Sequence, residues 1–161
     1  MKTMKRVCLL LMVILVLSGG GEVSAQISRA NFDKINGLRE NDKRLVMVLI
    51  GTEWCKYCNA MKQTILKDRA FANALDQPVY AVFLDAEEKK DIHFAERRFK
   101  YKPTGVNTGV HELAEALGSI NGQLAYPSLC FLNEKNEIVY QHEGYLTAPS
   151  LAALLDRLTN L

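Results

Sequence analysis

Apolar and polar positions along this chain fall into alternating helical and strand-like segments. Phe32, Ile35 and Leu38 recur at helical spacing, which predicts a helix from Ser28 to about Asp42, with Ser28 as cap and Asn41-Asp42 as its end. Leu45-Val46-Met47-Val48-Leu49-Ile50 is a continuous apolar run, suited to a strand buried on both faces of a parallel sheet. Met61, Ile65 and Leu66 return to helical spacing and predict a helix from Cys55 to about Lys67. Asp68 to Asp76 adds a second helical piece with Phe71, Ala74 and Leu75 facing inward, broken by Gln77-Pro78. Val79 to Leu84 is the next strand, and the right-handed crossover rule makes it the parallel neighbour of 45–50. His111 to Leu117 is expected to be helical, with Asn107 or Thr108 as cap and Gly118 as stop. Leu129 to Leu132 is a buried strand; Asn133-Glu134-Lys135-Asn136 turns it, and Glu137 to Gln141 returns as its hairpin partner before Gly144. Thr147 or Ser150 caps a last amphipathic helix with Leu151, Leu154, Leu155 and Leu158 on one side.

Two segments depart from this alternation. Residues 1–25 have the anatomy of a secretory signal peptide: Lys2, Lys5 and Arg6, then an unbroken apolar run from Val7 to Leu17, then Val23-Ser24-Ala25 before a cut ahead of Gln26. The run is too short to span a bilayer, which takes about 20 apolar residues. Cys8 lies near its start rather than its end, against a lipoprotein. The expected mature domain is 26–161, exported to a periplasmic or secreted location and not inserted in the membrane after cleavage. From Ala86 to Gly109 the chain turns polar, with Arg97, Arg98, Lys100 and Lys102 alternating with Phe99 and Tyr101. This is either a cationic-aromatic partner patch or, the preferred reading, a solvated helix end and loop.

Composition is that of one globular domain large enough for a real core. The leader holds three of the 20 basic residues and one of the 18 acidic ones, so the remainder has a formal net charge of zero. Nothing suggests a nucleic-acid surface.

The chemistry concentrates in Trp54-Cys55-Lys56-Tyr57-Cys58, where the first strand turns into a helix. Two cysteines three residues apart share a helix face and can close a disulfide. Cys55 falls at the helix N-terminus, where unpaired N–H groups and the helix dipole favour the reactive thiolate. Structural zinc is the first competing reading. It needs four ligands, and beyond the pair only Cys130, His93, His111 and His142 remain, without ligand-like spacing. A purely structural disulfide is the second, and a bridge this short stabilises little. Redox chemistry is the preferred reading, with no metal and no cofactor. Cys130, inside a core strand, reads as a small buried hydrophobe.

Strand, Trp-Cys-x-x-Cys, helix and a distant Tyr126-Pro127-Ser128 before another strand resemble the thioredoxin superfamily, over about Ile27 to Leu161. The resemblance implies a three-layer α/β sandwich with a mixed central sheet. It implies a redox disulfide Cys55–Cys58, with Cys55 attacking and Cys58 resolving. It also implies a cis Pro127 against the pair, and a Tyr126 backbone that can pair with an extended substrate. Trp54 can offer an apolar platform beside the sulfurs, pack partly in the core, or both. In thioredoxins a strand precedes the first helix; here only Gln26-Ile27 is left for it, so it is short or missing. The buried Asp six residues before the first motif cysteine is Leu49 here. Glu53 either substitutes for it or is an exposed loop carboxylate, the latter preferred.

The expected function is an exported thiol-disulfide oxidoreductase acting on protein thiols or disulfides, with a membrane electron-donor protein as a candidate partner. Reduction is preferred, although Lys56 and Tyr57 in place of Gly-Pro push the couple towards a more oxidising poise. A disulfide oxidase or isomerase of the same fold, or a non-enzymatic binding module, are the alternatives. Export itself has a direct check. Mass spectrometry of the protein from its native compartment should find a chain starting at Gln26; a retained Met1 or a lipid on Cys8 overturns the leader reading.

Overall fold

The computed structural model describes residues 27–38, 42–73 and 78–160. The leader, the helix end at Asn41, the inward Ala74 and Leu75 and the breaker Gln77 lie outside the described residues.

The centre is the continuous apolar run, strand β2 (Val46–Gly51), buried along its whole length. Consecutive side chains in a strand point to opposite faces, so Val46, Val48 and Ile50 join one core and Met47 and Leu49 the other. Strand β3 (Val79–Asp85) lies parallel to β2, with Leu49 opposite Phe83 and Gly51 opposite Asp85. On the other side β8 (Ser128–Leu132) runs antiparallel to β2 and is followed by β9 (Ile138–Glu143). With β1 (Ile27–Ala30) at the far edge, the sheet order is β1-β3-β2-β8-β9, a mixed five-stranded sheet as expected.

Helices cover both faces. Helix α2 (Lys56–Lys67), the short α3 (Arg69–Asn73) and α5 (Ala148–Thr159) pack Met61, Ile65, Phe71, Leu151 and Leu155 against one face. Helix α1 (Phe32–Leu38) and α4 (Glu112–Gly118) bury Phe32, Ile35, Leu113 and Leu117 against the other. Each fully buried side chain of this size contributes about 1.5–3 kcal/mol. Thr147 caps α5, accepting from the Ser150 backbone at 3.4 Å.

The structure corrects three expectations. Ser28 does not cap α1. Ile27–Ala30 is a full strand, parallel to β3 with Ser28 opposite Tyr80. The cap is Asn31, whose Oδ1 accepts from the Lys34 backbone at 2.9 Å. An edge strand takes its identity from its partner, and the partner is some fifty residues further on. Helix α4 starts later than expected, capped by His111 rather than by Asn107 or Thr108. The His111 imidazole is fully buried; its Nδ1 accepts from the Leu113 backbone at 3.2 Å and its Nε2 lies 3.2 Å from the Lys90 carbonyl. The polar run 86–109 holds no helix end. It forms two hairpins, β4 (Ile92–Phe94) with β5 (Arg97–Phe99), and β6 (Tyr101–Pro103) with β7 (Gly109–His111). Ala95 and Glu96 make the first turn with positive φ, 48° and 61°. Such two-residue turns are normally marked by Asn or Gly, and neither is present to signal one.

Two packing features make predictions. Gly51 ends β2 where α2 crosses it. A Cβ added there would lie 2.5 Å from the Cys58 Sγ and 2.7 Å from its Cβ. Gly51→Ala should therefore cost about 1–3 kcal/mol in denaturant unfolding; an unchanged midpoint would show that α2 can move aside freely. Cys130 is completely buried on β8, and burial pushes its thiol up to about 12, so it is un-ionised at neutral pH. Cys130→Ala should lower stability by about 1 kcal/mol and leave thiol exchange near wild type. Loss of exchange in a folded Cys130→Ala variant would reveal a third redox thiol.

Candidate active site

The two motif cysteines meet at the start of α2 because β2 ends beneath it. Cys55 is the N-cap residue, with an extended backbone, and its Sγ accepts from the Cys58 backbone N–H at 3.1 Å. A sulfur at an N-cap takes the place of the usual hydroxyl or carboxylate oxygen, and the same N–H group favours negative charge there. The Cα atoms are 5.2 Å apart and the side chains are joined as a disulfide. The sequence places Cys55 at the helix N-terminus and Cys58 three residues further along it. In the disulfide form they are nearly equal, 7% and 6% exposed, because bonded sulfurs cover each other. Their asymmetry is positional: Cys55 caps the helix, and Cys58 lies one turn in, against Gly51.

Tyr126 and Pro127 enter from the antiparallel side of β2. Ser128 pairs with Ile50, so Pro127 sits at the level of Gly51. The Tyr126–Pro127 peptide bond is cis, and the Pro127 carbonyl accepts from Gly144 N at 2.8 Å. Tyr126 makes an edge contact with Trp54, ring centroids 6.2 Å apart. Trp54 is 69% exposed and donates from Nε1 to Glu87 Oε2 at 3.2 Å. It lies at the surface rather than in the core. Tyr57, also exposed, leans on Tyr145 with centroids 5.8 Å apart. Each motif cysteine is thus preceded in the chain by an aromatic residue paired with a ring from a distant segment. The Tyr126 phenol is pushed up by burial and then by the charges of Glu87, Asp85 and Glu115, so the Trp54 flank is acidic.

Behind Cys58 the site differs from the family pattern. Leu49 is buried in the core opposite Phe83. Glu53 is exposed, and its carbonyl accepts from the Asn59 amide at 3.0 Å. A cavity of about 160 Å³ opens there, between the ends of β2 and β3 and α2, lined among others by Gly51, Thr52, Cys58, Lys62 and Asp85. Thr52 is buried and its hydroxyl has no partner among the described residues; such a group costs about 1–3 kcal/mol unless water satisfies it. A larger cleft, about 560 Å³, lies at the other end of the sheet beside Asp42, Arg44 and Pro78, and holds none of the motif residues. Among the described residues no group of three or more His, Cys, Asp or Glu could hold a metal ion.

Sequence reasoning singled out Trp54, Cys55, Cys58, Tyr126 and Pro127, and the fold gathers them at one end of β2. It missed Gly51, Thr52, Asp85, Glu87 and Tyr145 as neighbours of that site. Gly51 carried a readable signal, a glycine ending a buried strand just before the motif, where close approach is expected. The others have no local signature.

Comparison with known proteins gives the same architecture. A family model described as a thioredoxin-like domain matches residues 32–159. A thioredoxin-fold protein from Helicobacter pylori superposes with a TM-score of 0.53 at 13% identity, covering 86% of this chain and 76% of that one. A mutant thioredoxin from Halobacterium salinarum superposes with a TM-score of 0.53 at 15% identity, covering 88% of this chain and 98% of that one. A disulphide isomerase from Xylella fastidiosa Temecula1 gives 0.50 at 14% identity, covering 79% and 86%. At such identities the likeness is one of fold. A search of curated proteins finds no match. With nearly the whole described domain inside the family model, and a Cys-x-x-Cys pair joined at the start of its helix, this chain belongs to the thioredoxin-like family.

Proposed function

We propose that the protein is an exported thiol-disulfide oxidoreductase that exchanges disulfides of protein substrates through Cys55 and Cys58. One observation carries the reading: the joined pair sits at a helix N-terminus, flanked by exposed aromatic rings and by the cis Pro127. A structural bridge closing so short a loop has little else to offer.

In the reductive direction Cys55 acts as a thiolate. It attacks one sulfur of a substrate disulfide, and the other leaves as a thiolate. Cys58 then loses its proton and attacks the Cys55 sulfur. The internal disulfide forms, the second substrate sulfur leaves, and the substrate has gained two electrons. The Tyr126 backbone supports an extended substrate by strand-like pairing, and Trp54 lies beneath it as an apolar platform. A donor of two electrons must regenerate the dithiol, and a membrane electron-donor protein would suit a periplasmic or secreted location. Lys56 next to Cys55 favours the thiolate, which stabilises the reduced form and raises the potential. A disulfide oxidase is therefore the second reading, and a measured reduction potential separates the two.

The test uses insulin and dithiothreitol, together with cysteine variants. The wild-type protein should accelerate insulin reduction, which a binding module would not. Cys58→Ser should accumulate mixed disulfides with exported client proteins, released by reductant on a gel, whereas Cys55→Ser should trap almost none. Equal trapping by both variants, or trapping by Cys55→Ser alone, would reverse the roles of nucleophile and resolving thiol.

A further inference from the structure

Resolution requires Cys58 to lose a proton, and the surroundings make that loss difficult. The residue is buried, on the helix face that also carries Met61 and Ile65. Leu49, the β2 side chain in the lining behind Cys58, has no group to accept a proton.

The cavity behind Cys58 supplies one from the neighbouring strand. Cys58 Sγ lies over Gly51, and Gly51 is the β2 residue paired with Asp85 of β3. Parallel strands are about 4.8 Å apart, so the sulfur and the Asp85 backbone are separated by little more than one strand spacing. Asp85 lines the cavity and is half-buried. Its Oδ1 accepts from the Glu87 backbone N–H at 3.0 Å, which holds the carboxylate at the strand end. Thr52, on the same wall, carries the buried hydroxyl without a partner. A cavity of about 160 Å³ has room for several waters, and a polar wall with an unsatisfied hydroxyl is where buried water is retained.

We infer that Asp85, through water bound at the Thr52 hydroxyl, accepts the Cys58 proton during resolution of the mixed disulfide. The Cys58 S–H bond breaks and its proton passes by way of the water to the Asp85 carboxylate. The electron pair left on Cys58 forms the bond to Cys55 Sγ. The bond between Cys55 and the substrate sulfur breaks, and that sulfur leaves with its electron pair. Asp85 returns its proton to solvent past Asn59, an exposed residue in the same lining. Asp85 is thus a positioning residue for a proton, and the inference rests on the exchange chemistry proposed above.

Other charged groups share this region. Glu53 and Lys62 line the same cavity. Glu87 follows on the next turn, and the Tyr126 phenol feels the Asp85 charge. A second cavity bordering Asp85 is lined by Asp33, Glu88, Asp91 and His93. The test must therefore isolate one carboxylate. Reduced protein is mixed with substoichiometric 5,5′-dithiobis(2-nitrobenzoate), and release of the coloured aryl thiolate is followed by stopped flow. The first release reports attack by Cys55. The second reports unimolecular resolution by Cys58. Asp85→Asn keeps an oxygen to accept from Glu87, so the loop is preserved. Its first phase should match wild type, and its second should slow about tenfold or more at neutral pH. Asp85→Glu should recover part of the rate. Glu53→Gln should leave both phases unchanged. An unaltered second phase in Asp85→Asn overturns the inference, as does slowing by Glu53→Gln in its place. Absence of the first phase in wild type would instead strike at the exchange function itself, independently of Asp85.

Discussion

The site depends on one close approach, the sulfur of Cys58 lying against the backbone of Gly51. Strand β2 is buried on both faces, so its end is held by the two cores and has little freedom to shift. A glycine at that end removes the side chain that would otherwise keep α2 away. Helix α2 then descends onto the sheet with Cys58, Met61 and Ile65 on its inner face. Its N-terminus, with Cys55 as cap, is left at the rim. The position of the disulfide is therefore a consequence of core packing, transmitted through one residue without a side chain.

The rim around the pair is differentiated by charge as well as by shape. On one flank Trp54 and Tyr126 stand beside Glu87, Asp85 and Glu115. Tyr57, which pairs with Tyr145, directly follows the exposed Lys56. Exposed aromatic rings offer a large apolar contact at low entropic cost, and charge around them biases which partners dock.

The polar stretch between β3 and α4 is integrated into the fold rather than appended to it. Its hairpins place Phe94 and Phe99 in the core beneath α1, where Phe94 meets Phe32 edge-on at 5.1 Å. Arg98 pairs with Asp91, and Lys102 with Glu115, so part of its positive charge is answered within the molecule. Buried His111 ties the last hairpin strand to α4 by capping the helix and meeting the Lys90 carbonyl. Thr104 to Thr108 is left as an exposed tip with Val106 fully accessible.

Sequence alone determined those features that local physics encodes. The unbroken run 45–50 could only be a strand buried on both faces, Leu151 and Leu155 an inward helix face, and Cys55 and Cys58 neighbours on one turn. Those properties follow from periodicity and from the short reach of two cysteines. Tertiary structure decided what depends on distant partners. Ile27–Ala30 became a strand because β3 offered an edge. Ala95-Glu96 became a turn without turn residues because Phe94 and Phe99 are drawn into the core on either side of it. Asp85 and Glu87 joined the site because parallel pairing brings the end of β3 beside Gly51, some thirty residues away in the chain. Side-chain periodicity records which face is buried, but not which strand end will stand beside it.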